Sequence, residues 1–129
     1  LCVGQQGNVI GDEEWSLAYT STLPTDINVV PRGGIYLFPM IIYDGMLKYA
    51  NFSPDILQNI ENRIGLQLQD IEDEERKDGG FLAIDLIDYI YAVLHSVTYR
   101  DTYHDFLQND FPTSMCLRLP TWRGYLVIV

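Results

Sequence analysis

Between Leu86 and Leu107 the chain reads "LIDYIYAVLHSVTYRDTYHDFL", and the spacing of its apolar residues limits the fold more than any other feature. Leu86, Ile90, Val93, Leu94 and Val97 recur at helical intervals, and Ile87 and Tyr91 widen the stripe. So wide a stripe predicts a helix buried on more than one side. Ser96 or Thr98 offers the start of a second helix, in which Tyr99, Tyr103, Phe106 and Leu107 fall at i, i+4, i+7 and i+8. That helix is expected to end near Asn109, before Asp110-Phe111-Pro112. The tyrosines at 89, 91, 99 and 103 share the helical spacing, so interior packing is their expected role.

Upstream the pattern is different. In the first fifty residues "LCV", "WSLAYTS", "INVVP" and "IYLFPMIIY" are rich in β-branched and aromatic residues, and Pro24, Pro31, Arg32-Gly33-Gly34 and Asp44-Gly45 separate them. This predicts a small antiparallel β unit. Pro39 inside the last run predicts a bulge or an edge position, because proline offers the ladder no donor. At Ser53 the pattern turns helical. Ser53 is placed to cap, Pro54 fits the first turn, Asp55 suits the positive end of the dipole, and Ile56, Leu57, Ile60 and Ile64 share a face ahead of a Gly65 stop. "LQLQ" at 66–69 suggests a short strand. The expected class is α+β: a β unit followed by about three packed helices. One domain is expected over 1–122, mainly β over 1–50 and mainly α over 51–112, with a mobile acidic loop at 70–80 and an irregular, truncated tail at 113–129.

Charge then restricts function. The net charge is −10 and the pI is near 4.3, so the chain lacks the basic face that unassisted phosphate binding needs. "DIEDEERKD" (70–78) alone holds six acids against two bases. Cys2 and Cys116 form no CxxC pattern and read as reduced, buried thiols. No apolar span of ~20 residues is present, so no membrane segment is expected and a cytoplasmic location is. The chain opens at Leu1 in strand-like sequence, which suggests a piece of a longer protein.

The short motifs that imitate active sites have simpler structural readings. "GQQGNVIG" (4–11) matches neither GxGxxG nor GxxxxGK[ST] and reads as a turn. Pro54-Asp55 followed by Glu75-Arg76-Lys77 imitates the PD…ExK set of a Mg²⁺-dependent nuclease. That chemistry needs both carboxylates rigidly placed, whereas Asp55 falls in a helix's first turn and Glu75 in the acidic run. His95 and His104 lack partners at ligand spacing and read as structural. No catalytic residue, metal ligand or cofactor is expected within the chain.

Longer stretches resemble a known family. "DYIYAVLHSVTYRDTYHDFLQNDFP" (88–112) is similar to a signature near the C-terminus of type ISP and related single-chain restriction–modification enzymes with an adenine-specific DNA methyltransferase core. "CVGQQG", "EEW", "RGGIYLFPMIIYD" and "NFSPDILQNIENRIGL" extend the likeness over roughly residues 1–122. Val97 stands where the family has proline, Thr113 replaces an arginine, and "TSMCLRLP" replaces the RIP-type tail. The resemblance implies part of a DNA target-recognition region, with S-adenosylmethionine and methyl transfer in an upstream domain and duplex DNA met by the full-length enzyme. Arg32, Lys48 and Arg118 are the expected DNA contacts, because loops carry recognition while the scaffold carries stability. Two other classes of function are an acidic protein-interaction or DNA-mimic module, and the nuclease built on Asp55, Glu75 and Lys77.

Overall fold

The computed structural model describes residues 1–4, 16–26 and 35–109. The strand expected at 27–31, most of the glycine-rich turn, Arg32, Cys116, Arg118 and the tail at 113–129 lie outside the described residues, as does the Cys2 side chain. The fold is α+β: among the described residues five short strands come first and, after Ser53, helices interrupted by one further pair of short strands. Its contacts gather into two compact units. One takes in the described residues of Leu1–Phe38 and those from Ile90 onward; the other is Pro39–Tyr89.

In the first unit β1 (Cys2–Gly4) lies between β2 (Ala18–Tyr19) and β3 (Ile35–Leu37), antiparallel to both, with Cys2 opposite Tyr19 and Leu37. The run over 35–43, expected as one strand with a bulge or at an edge, is two strands, each at the edge of its sheet among the described residues. β3 stops at Leu37, and β4 (Ile41–Asp44) starts a different sheet. Pro39 has no N–H to extend a ladder, so the break falls on it.

The boundary between the units falls within α2 (Ala83–Leu94), whose Leu86, Ile87, Ile90 and Leu94 are buried. Val97 does not continue this stripe and is 68% exposed. The α2 ladder closes at Ser96, whose N–H donates to the Val93 carbonyl. The Ser96 hydroxyl then accepts from the Tyr99 N–H at 3.4 Å, starting α3 (Val97–Thr102). The single helix expected from there to Asn109 is interrupted at Tyr103 (φ −111°, ψ 19°), after which α4 (His104–Asn109) begins. Tyr99 and Leu107 are buried across that interruption. Of the tyrosine stripe, Tyr99 is interior, Tyr91 and Tyr103 are half-buried, and Tyr89 is half-exposed.

In the second unit β4 and β5 (Leu47–Ala50) form a hairpin, with Ile41 opposite Ala50 and Asp44 opposite Leu47. Gly45, the first of the two loop residues, has φ +61°, a conformation that glycine adopts without steric cost in a two-residue hairpin turn. Asn51 closes the base: its side-chain amide donates to the Pro39 carbonyl and its backbone N–H to the Met40 carbonyl, both at 2.8 Å. α1 (Pro54–Ile64) starts and stops as expected, with Pro54 in the first turn and Gly65 at φ 71°, but the Ser53 side chain makes no capping bond. Ile60 is buried, Ile56 and Leu57 are half-buried, and Ile64 is exposed. The strand read from "LQLQ" is β6 (Gln67–Leu68), which pairs in parallel with β7 (Gly80–Phe81).

Candidate functional site

Three places carry chemistry worth weighing: the β4–β5 hairpin, the acidic loop between β6 and β7, and the helical turn around the two histidines.

The hairpin exposes apolar side chains on both faces. Tyr43 is 66% exposed on the face it shares with Lys48; Leu47 and Tyr49 are exposed on the other, and Met46 at the tip is fully exposed. Lys48 is the hairpin's only cation. Its Nζ lies 2.7 Å from Glu72 Oε1, and that hydrogen bond holds its pKa above the ordinary lysine value. Of the three expected DNA contacts, Lys48 is thus the one the structure describes, and its charge is already answered by an acid.

The acidic loop is closed by its own hydrogen bonds. Gln69 reaches into it: its Nε2 donates to Asp73 Oδ2 at 3.2 Å and the Glu75 carbonyl at 3.1 Å, and its Oε1 accepts from the Lys77 N–H at 2.9 Å. This inward path runs across Gly80, where a β-carbon would stand 2.6 Å from Gln69 Cγ. Lys77 Nζ is 2.6 Å from both Asp73 oxygens; the Lys77 and Gln69 bonds hold the Asp73 carboxyl below the usual range. Arg76 leaves the loop to grip Asp85, its Nε donating to Asp85 Oδ2 at 2.9 Å. The same oxygen accepts from the Leu82 N–H at 2.9 Å, one position before α2. Asp85 is therefore a helix-start acceptor in the manner of a capping box, and the guanidinium, then the backbone N–H, lowers its pKa. Sequence reasoning missed both Gln69 and Asp85. The second left a signal, an acid three positions after the residue preceding a helix.

The nuclease-like residues lie on separate elements, α1 and the acidic loop. Asp55 stands in the first turn of α1, the Glu75 carbonyl accepts from Gln69, and Lys77 is held by Asp73. Among the described residues no three His, Cys, Asp or Glu side chains gather to hold a metal ion. His95 Nε2 lies 3.0 Å from the Ala18 carbonyl, and its ring packs against Tyr91 with centroids 4.4 Å apart, as a structural histidine does. A depression of about 530 Å³ at the α3–α4 turn is lined by the consecutive residues Asp101–Phe106, one continuous stretch of chain running from the end of α3 into α4. Among the described residues no helix is long and apolar enough to cross a membrane.

The model of the type ISP C-terminal specificity domain matches residues 1–120. The chain belongs to that family. Membership of the type ISP specificity domains supports a role in DNA target recognition in restriction–modification enzymes. Comparison with curated proteins and with solved structures gave no significant match. For a type ISP specificity domain the spread of charge is informative. Pro39–Tyr89 holds eleven acids and four bases, which is −7 of the total −10. Lys48, Arg76 and Lys77 are in ion pairs within the unit.

Proposed function

We propose that the chain is a non-catalytic part of the DNA target-recognition region of a restriction–modification DNA methyltransferase, in which the helices prop the loops that meet duplex DNA. The family match over residues 1–120 is the observation that carries this reading. The propping role is supported by packing in the first unit. The His95 ring bonds the Ala18 carbonyl of β2, and Leu17, Ala18, Leu94, Tyr99 and Leu107 are buried. Side chains with these partners serve the scaffold, which leaves recognition to loops. Arg32 and Arg118 are the proposed phosphate contacts. Lys48 serves there only by exchanging Glu72 for a phosphate. Methyl transfer and S-adenosylmethionine are assigned to a domain upstream.

The test is equilibrium binding of the intact parent protein to duplex DNA over a salt series. Each Arg→Ala change at 32 or 118 is expected to weaken binding and flatten the slope of log K against log salt by about one phosphate's contribution. Exchanging residues 1–120 for the same segment of another type ISP enzyme is expected to change the DNA sequence selected. An unchanged sequence preference after the exchange would remove the recognition role.

A further inference from the structure

We infer that Pro39–Tyr89 is a protein-docking unit whose β4–β5 hairpin anchors the chain to a basic protein surface, while DNA is met elsewhere. The inference rests on the reading above only in placing the chain within a larger enzyme.

Two observations argue for an occupant. The hairpin exposes Tyr43, Met46, Leu47 and Tyr49 over both faces and the tip, a larger run of apolar side chains than a two-stranded ribbon needs to leave in water. Tyrosine and methionine are also enriched where protein interfaces bury their centres. Two further observations decide the chemistry of the occupant. Asp44 is exposed opposite Leu47 beside the tip, and on the other face, which carries Tyr43, the Lys48–Glu72 bond joins the hairpin to the acidic loop, so exposed apolar side chains have an acid beside them on each face. A unit with −7 net charge and its hairpin cation paired opposes the approach of phosphates, and Lys48 could meet one only by giving up Glu72. A second copy of so acidic a unit is repelled for the same reason. A protein surface rich in lysine and arginine, with an apolar centre to take Met46 and Leu47, matches both properties.

The test places a photo-crosslinking amino acid at Met46 in the intact parent protein, with and without duplex DNA, and maps the crosslinked peptides. The expected product is a lysine- or arginine-rich segment outside residues 39–89, formed equally with DNA present. Hydrogen exchange in the intact protein supplies a second readout. Met46→Asp combined with Leu47→Asp changes only exposed positions and is expected to raise amide exchange along 41–50 by about tenfold, the effect of losing one interface anchor. Crosslinking to DNA or to a second copy's acidic unit overturns the inference, as does unchanged exchange in the double variant. Crosslinking to DNA would leave the recognition reading standing. Loss of sequence-selective DNA binding by the unaltered protein would remove that reading while leaving the docking result to be scored on its own.

Discussion

Replacing Asp85 by alanine separates two contributions that meet on one carboxylate. The change deletes the acceptor for the Leu82 N–H at the start of α2 and releases Arg76. Losing a side-chain acceptor at a helix start costs about 1 kcal/mol, within a range of roughly 0.5–2. The Arg76 side chain is 69% exposed, so solvent screens its pairing and the lost cap dominates. With urea slopes of about 1–3 kcal/mol per molar for small proteins, the unfolding midpoint of Asp85→Ala is expected to fall by roughly 0.3–1 M at pH 7. Arg76→Ala is expected to shift it less. Asp85→Asn keeps an oxygen for the Leu82 N–H and is expected to retain most of the stability.

The pH dependence follows from the direction of the Asp85 shift. Arg76 and the Leu82 N–H lower its folded-state pKa. Its contribution is therefore complete above the unfolded-state value of roughly 3.9 and is lost as pH falls through the lower folded-state value. The gap between the parent and Asp85→Ala should narrow accordingly in acid. The reasoning is refuted if Arg76→Ala matches Asp85→Ala, or if Asp85→Asn is as damaging as alanine, because the ion pair would then outweigh the cap.

Leu94→Ala is expected to destabilise the chain by about 3 kcal/mol in chemical denaturation, because Leu94 is 2% exposed and its removal leaves a cavity; a loss below about 1 kcal/mol would mean that the site collapses or is loosely packed. Gly80→Ala must displace Gln69, whose Cγ would lie 2.6 Å from the new β-carbon. About 1–3 kcal/mol of destabilisation and faster amide exchange over 69–79 are expected, and unchanged exchange there would show that Gln69 does not organise the loop.

Much of the architecture was legible because it depends on neighbours along the chain. The change from β to helical pattern at Ser53, Pro54 in the first turn, the Gly65 stop, the Asp44-Gly45 turn and the short strand in "LQLQ" were all readable from local spacing and backbone preference. The long ordered signature over 88–112 pointed to the family that the match over 1–120 establishes. Periodicity misled where a local bond outweighed it. Val97 fits the α2 stripe by spacing, yet Ser96 ends one helix and caps the next, which turns Val97 to solvent.

What the residues could determine by themselves was the kind of element each stretch forms and the acidity of the whole chain, since torsional preference and charge are properties of the residue. Tertiary structure decided which of those charges remain available. Lys48 looked like a phosphate contact until Glu72, 24 positions away, was found 2.7 Å from it, and Asp85 looked like one more surface acid until it proved to hold both a helix start and Arg76. A partner as distant along the chain as Glu72 leaves no periodic trace, because only folding brings it within reach of a hydrogen bond, whereas the Asp85 cap, three positions from Leu82, left a local one.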